Sequence, residues 1–117
     1  MFKSVQYVGF EGRPDLKAKA EQLTPVLADE IRRWREGVAV KWSPHPDAAS
    51  GVLDLTLSLT LQNGVSGTHT GSFTQKQLDE DCLRRGRCRL VWDDLLGVLL
   101  DEQHKRVEEG FLETAEA

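Results

Sequence analysis

From Leu53 to Gln62 every second residue is a leucine. Leu53, Leu55, Leu57, Leu59 and Leu61 alternate with Asp54, Thr56, Ser58, Thr60 and Gln62, the period-two pattern of a strand with one buried face. A second alternation follows: Val65, Gly67, His69, Gly71 and Phe73 against Ser66, Thr68, Thr70, Ser72 and Thr74. Asn63-Gly64 between them invites a two-residue turn, but that register would set every leucine opposite a hydroxyl. A three-residue loop, Gln62-Asn63-Gly64 with Gly64 left-handed, pairs Leu61 with Val65, Leu59 with Gly67, Leu57 with His69 and Leu53 with Phe73. Because a one-residue slip inverts a strand, face consistency selects the three-residue loop.

Upstream the period changes. Leu16, Ala20, Leu23, Leu27, Ile31 and Trp34 recur at three and four, one stripe of an amphipathic helix over 15–36, with Pro14 in its first turn and Gly37 as its stop. Pro25 lies inside the stripe without shifting its phase, which predicts a kink and not a break. Residues 3–10 read as a first strand, in which Val5 and Tyr7 alternate with Ser4 and Gln6. Val38–Trp42 reads as a further strand, and the proline-containing stretch Ser43–Gly51 as a surface loop.

After the hairpin, Thr74 and Gln77 have the spacing of a capping box, with Phe73 and Leu78 as its hydrophobic staple. They predict a short helix from Gln75 to about Arg85 that stops at Gly86. A second long helix is expected from Leu90, Trp92, Leu95, Leu96, Leu99, Leu100, Val107 and Phe111, thinning at Gln103 and His104 and fraying over about 110–117. The expected fold class is α+β: a two-layer sandwich in which a three- or four-stranded, mainly antiparallel sheet is covered on one face by two long helices. The element order is (β)-α-β-β-β-α-α in a single domain over 1–117.

Composition agrees with one small globular core: 117 residues, 39% hydrophobic and 29% charged. No run approaches the roughly 20 apolar residues of a membrane span, so no membrane partner is expected. Residues 1–7 lack the pattern of a secretory signal, which makes the cytoplasm the expected compartment and thiols the expected state of Cys82 and Cys88. The formal charge of −4 arises wholly after residue 60. That distribution argues against a general phosphate-backbone binder, which needs a basic excess.

Candidate chemistry is sparse. His69, between Gly67 and Gly71 on the apolar face, reads as a core-edge histidine whose neighbours are glycines for close packing; the competing reading is a proton carrier in a cleft. Cys82, Cys88, His45, His69 and His104 lack zinc-site spacing, and no phosphate loop or dinucleotide fingerprint is present. No cofactor, metal or catalytic residue is therefore expected. Arg84, Arg85, Arg87 and Arg89 form the densest charge cluster and are the candidate anion-binding set, with Arg32, Arg33, Trp34 and Arg35 as potential helpers. Asp79, Glu80, Asp81, Asp93 and Asp94 stand close enough in sequence to offset them.

The outer face of the hairpin is the more unusual feature. Thr56, Ser58, Thr60, Thr68, Thr70 and Ser72 present hydroxyls where a solvated sheet normally mixes in lysine and glutamate. Such a face can pack on another surface without burying charge. The expected function is a non-enzymatic protein–protein interaction module acting through this face or the C-terminal helix, a homodimer being one form of it. The alternative is a nucleic-acid or phosphate-binding domain using Arg84–Arg89.

Overall fold

The structure is a computed structural model that describes residues 2–46 and 51–116, with side chains as far as 107 apart from those of Arg33 and Arg35. Part of the loop expected over Ser43–Gly51 lies outside the described residues, as do the side chain of Phe111 and those of the C-terminal tail. The chain is α+β. Strand β1 (Ser4–Tyr7), helix α1 (Pro14–Ile31), β2 (Val38–Pro44), β3 (Leu53–Thr60), β4 (Ser66–Phe73), α2 (Gln75–Asp79) and α3 (Asp81–Glu116) follow in that order, with a 3-10 turn over Arg32–Gly37. The sheet order is β1-β2-β3-β4. β1 runs parallel to β2, so the sheet is mixed, while β2-β3 and β3-β4 are antiparallel.

The hairpin register is the one that face consistency selects: Leu59 opposes Gly67, Leu57 opposes His69 and Leu53 opposes Phe73. Leu61 N–H donates to Val65 O at 2.7 Å, and Gly64 closes the loop at φ +86°, where a Cβ would be strained. Val38, Val40, Trp42, the leucines of β3 and Phe73 all point to one face and are buried beneath α1 and α3. The capping box is formed, with Gln77 N–H donating to Thr74 Oγ1 and Thr74 N–H to Gln77 Oε1. None of the helices among the described residues is long and apolar enough to cross a membrane.

Three expectations change. First, β1 covers only Ser4–Tyr7, and its partner is the parallel β2, reached through α1. Second, α1 passes through Pro25 unbroken but ends at Ile31, because Arg32 turns to φ +58° and the 3-10 turn begins. Three residues per turn carry Trp34 off the buried stripe, and it stands 47% exposed. Third, Gly86 does not stop a helix; the break falls at Glu80, and α3 runs on from Asp81.

The reason lies in where the buried stripe starts. Cys88, Val91, Trp92, Leu95 and Leu99 pack on the sheet, so the segment expected to be a basic turn must already be helical to present Cys88. A glycine inside a helix costs only about 1 kcal/mol, less than burying that stripe returns. The same phase leaves Leu90 and Leu100 exposed, although both belong to the apolar stripe of the sequence, while Val107, beyond the thinning at Gln103 and His104, is exposed as that thinning implies.

Candidate functional site

β4 is the edge strand over which α3 crosses, and the two glycines beside His69 permit the crossing. A Cβ on Gly67 would lie 3.0 Å from Val98 Cγ1, and one on Gly71 only 2.6 Å from Val91 Cγ2. His69 itself stands on the covered face opposite Leu57, with Nε2 3.4 Å from a carboxylate oxygen of Asp94 on α3. The glycines thus serve close packing. His69 lines none of the three grooves described below, and no cluster of three or more metal-ligating side chains occurs among the described residues.

The arginine cluster is dispersed by the helix that carries it. Arg84 pairs with Asp81, Arg85 and Arg89 both reach Glu30 on α1 at 3.9 and 4.0 Å, and Arg89 also meets Asp93 at 3.3 Å. Arg87 turns the other way and donates from Nε to Ser72 O at 2.9 Å, occupying a carbonyl of the edge strand. The four side chains therefore serve three different neighbourhoods, and no two of them line the same one of the three grooves described below.

Cys88 lies buried beside Glu30. Burial, reinforced by the Glu30 carboxylate, pushes its thiol up to about 12, with Arg85 acting weakly in the opposite direction. Cys82 is exposed. A thiol reagent is expected to label one cysteine of the native protein promptly and Cys88 only on unfolding, since the thiolate is the reacting species. Counting labelled sites by intact mass with and without urea checks this; two rapid sites would contradict the burial of α3.

The hydroxyl face is assembled as the sequence implies. Ala39, Ser58 and Thr68 lie in one row, Lys41, Thr56 and Thr70 in the next, and Ser43, Asp54 and Ser72 in a third. Thr60 sits opposite Ser66 at the hairpin end, and Ser4 and Gln6 extend the face across β1. The hydroxyls bond each other across the strands: Thr56 to Thr70 at 2.9 Å and Ser58 to Thr68 at 3.0 Å. Ser72 donates to Asp54 at 2.7 Å, and His45 Nδ1 lies 3.1 Å from the same oxygen. Each pair meets part of its hydrogen-bonding need internally, so the face is stable in water and also inexpensive to desolvate.

A second surface escaped the sequence reading. Exposed Trp34 is the common wall of three grooves. One, of about 510 Å³, continues along Gly37, Leu59 and the start of the hairpin loop. Another, of about 600 Å³, runs between Arg32, Glu30 and Arg89 over Trp92. The third, of about 330 Å³, is almost wholly apolar and is walled by Leu59, Leu61, Leu96, Leu99, Leu100 and Gln103. It lies where the end of β3 meets the flank of α3. The signal that could have exposed it is local: a tryptophan set among arginines just before a glycine, Arg32-Arg33-Trp34-Arg35-Glu36-Gly37, is poor core sequence.

Comparison of the chain with protein-family models, curated proteins and solved structures finds no match.

Proposed function

We propose that this domain is a non-enzymatic protein–protein interaction module that docks its partner in the apolar groove between α3 and the Trp34 turn. One observation carries the reading: Trp34 and Leu100 stand 47% and 63% exposed at a groove whose other walls are Leu59, Leu61, Leu96, Leu99 and Gln103. An apolar concavity with a tryptophan at its rim has the make-up of an interface hot spot. Burying either side chain under a partner contributes about 1.5–3 kcal/mol. Its length along α3 suits an amphipathic helix laid against it. The hydroxyl face is the second docking surface consistent with such a module; its mutually paired hydroxyls support it less, because they leave no apolar anchor.

The two surfaces separate in one experiment. A photo-reactive benzophenone amino acid is placed at Leu100 or at Thr68 and irradiated in living cells. A discrete adduct to another protein is expected from position 100 and none from position 68, and Trp34→Ala should abolish it while leaving the melting temperature within a few degrees. Such adducts from position 68 alone would move the docking surface to the sheet.

A further inference from the structure

We infer that the open edge of β4 pairs with the same edge of a second copy of this chain, antiparallel and centred on His69, joining the two sheets into one. This surface is separate from the Trp34 groove, so the inference goes beyond the interaction-module reading and does not depend on it. The ladder shows which backbone groups are available. Leu61 N–H donates to Val65 O, so by alternation Gly67, His69, Gly71 and Phe73 direct their backbone groups to β3. Ser66, Thr68, Thr70 and Ser72 direct theirs outward, in agreement with the bond from Arg87 to Ser72 O. The rest of that row makes no hydrogen bond among the described residues. From Ser66 to Phe73 the strand also lacks the lysine, proline or bulge that commonly guards an edge, and Ser66, Thr68 and Thr70 are exposed.

The sequence chooses the partner. Ser66-Gly67-Thr68-His69-Thr70-Gly71-Ser72 reads the same in both directions, and an antiparallel strand of that kind matches its own copy. About His69, Thr68 meets Thr70 of the mate, Ser66 meets Ser72 and Gly67 meets Gly71. The Ser and Thr pairs are the ones with outward groups, so each can exchange both backbone bonds, while hydroxyls stay beside hydroxyls on the outer face. Ser72 O keeps a second lone pair for this, because the Arg87 guanidinium lies on the covered side, 3.3 Å from where a Gly71 Cβ would be.

The helices fit the same arrangement. Strands lie ~4.8 Å apart, so the outer two of four stand roughly 14 Å apart, whereas two packed helices stand about 8–10 Å apart. Each helix therefore sits about 2 Å inside its edge strand, and pairing the β4 edges brings α3 and its copy to roughly 9 Å, a packed spacing. The flank of α3 above this edge carries Arg87, Leu90, Asp94, Val98 and Asp101, spaced three, four, four and three. Of these, Arg87 bonds Ser72, Asp94 meets His69 and Val98 rests on Gly67. Pairing at His69 sets the two flanks antiparallel about Asp94. Leu90, 55% exposed, then meets Val98 of the mate. Arg87 meets Asp101, which enters no ion pair among the described residues. Only Asp94 faces its like, each beside its own His69. The contact is self-complementary and closed, so it yields dimers.

Sedimentation equilibrium under reducing conditions, over a hundredfold concentration range, should show a reversible monomer–dimer equilibrium. Thr70→Pro removes an outward N–H without touching the β3 ladder, a change that edge strands tolerate, and should weaken the dimer at least tenfold. Leu90→Asp, on exposed helix surface, should weaken it several-fold, and circular dichroism melts show whether each variant is folded. If Thr70→Pro does not fold, Leu90→Asp and two single cysteines, each in a Cys82→Ser background, carry the test. His69→Cys should cross-link two copies on mild oxidation, because facing residues at a non-bonded position have Cα atoms ~4.5 Å apart, within disulfide reach. Ser66→Cys, three residues from the axis, should not. A wild type that stays monomeric throughout overturns the inference. So does a dimer indifferent to Leu90→Asp and to a folded Thr70→Pro, or a Ser66→Cys that links as readily as His69→Cys. A photo-adduct from position 100 to another protein is untouched by any of these outcomes, so the groove reading stands or falls separately.

Discussion

Trp42→Ala is expected to bring the domain close to unfolding. Trp42 is fully buried at the centre of β2, and its ring packs against Phe73 with centroids 5.9 Å apart. Its Nε1–H donates to Thr24 Oγ1 at 3.1 Å, the hydroxyl that also donates to Ala20 O at 2.9 Å and lies 3.1 Å from Tyr7 Oη. The indole thus joins β1, α1 and β2 through a small polar cluster just below Pro25. Truncation removes the largest core side chain, opens a cavity and withdraws one partner from a half-buried hydroxyl. Aromatic-to-alanine changes in such settings cost about 3–5 kcal/mol, a large part of the ~5–15 kcal/mol that holds a domain folded. In urea, with a slope of about 1–3 kcal/mol per molar, the midpoint should fall by roughly 2 M. Trp42→Phe keeps most of the volume and loses the N–H, so its loss should be about a third as large. A midpoint unchanged by Trp42→Ala would mean that the core is organised around other residues.

The second large effect is expected from one added methyl group. In Gly71→Ala the new Cβ would sit 2.6 Å from Val91 Cγ2 and 3.3 Å from a guanidinium nitrogen of Arg87. Arg87 can swing aside, although its bond to Ser72 O then weakens. Val91 cannot, being β-branched and fully buried on α3. The helix must therefore rise off β4 locally, and overpacking of this kind costs about 1–3 kcal/mol. The backbone of Gly71 carries no positive φ, so the loss comes from contact and not from strain. Pairing the change with Val91→Ala provides the control. Each single variant should be destabilised, and the double variant should lose at least 1 kcal/mol less than the sum of the two, as coupled neighbours do. Strict additivity in urea melts would show that α3 does not rest on Gly71.

The hairpin could be read from the sequence to the residue because its alternation fixes one face and its loop fixes one register. The capping box was legible for a similar reason, since both partners lie within four residues. Failures occurred where a boundary depends on partners far away in the chain. Gly86 carries a local stop signal, yet Cys88 and Val91 outvote it by packing on strands formed some 20 residues earlier. Trp34 continues a 3.6-residue period in the sequence, but the period ends at Arg32, whose positive φ no composition rule announces. Leu90 and Leu100 likewise continue the apolar stripe in the sequence, on a helix whose phase turns them away from the core. The hydroxyl face was legible because strands expose alternate residues whatever surrounds them. The groove beside Trp34 was not, since it is made by a turn, a strand end and a helix flank that meet only in three dimensions.

β1 has a consequence for how the chain reaches this state. Its four residues pair with β2 alone, flanked by bonds from Lys3 N to Val38 O and from Val8 N to Trp42 O, both at 2.9 Å. A parallel partner cannot arrive by a tight turn and must wait for the intervening helix to dock. The antiparallel ribbon β2-β3-β4 has only local closures to make and can form ahead of it. During that interval the outer side of β2 is an open row of donors and acceptors, able to accept an extended segment from any neighbouring molecule. On this order β1 is expected to close late and to reopen first. Among the sheet amides, those bonding β1 to β2 should exchange with solvent soonest, and the frequency of that opening governs how often one molecule can lend its first strand to another.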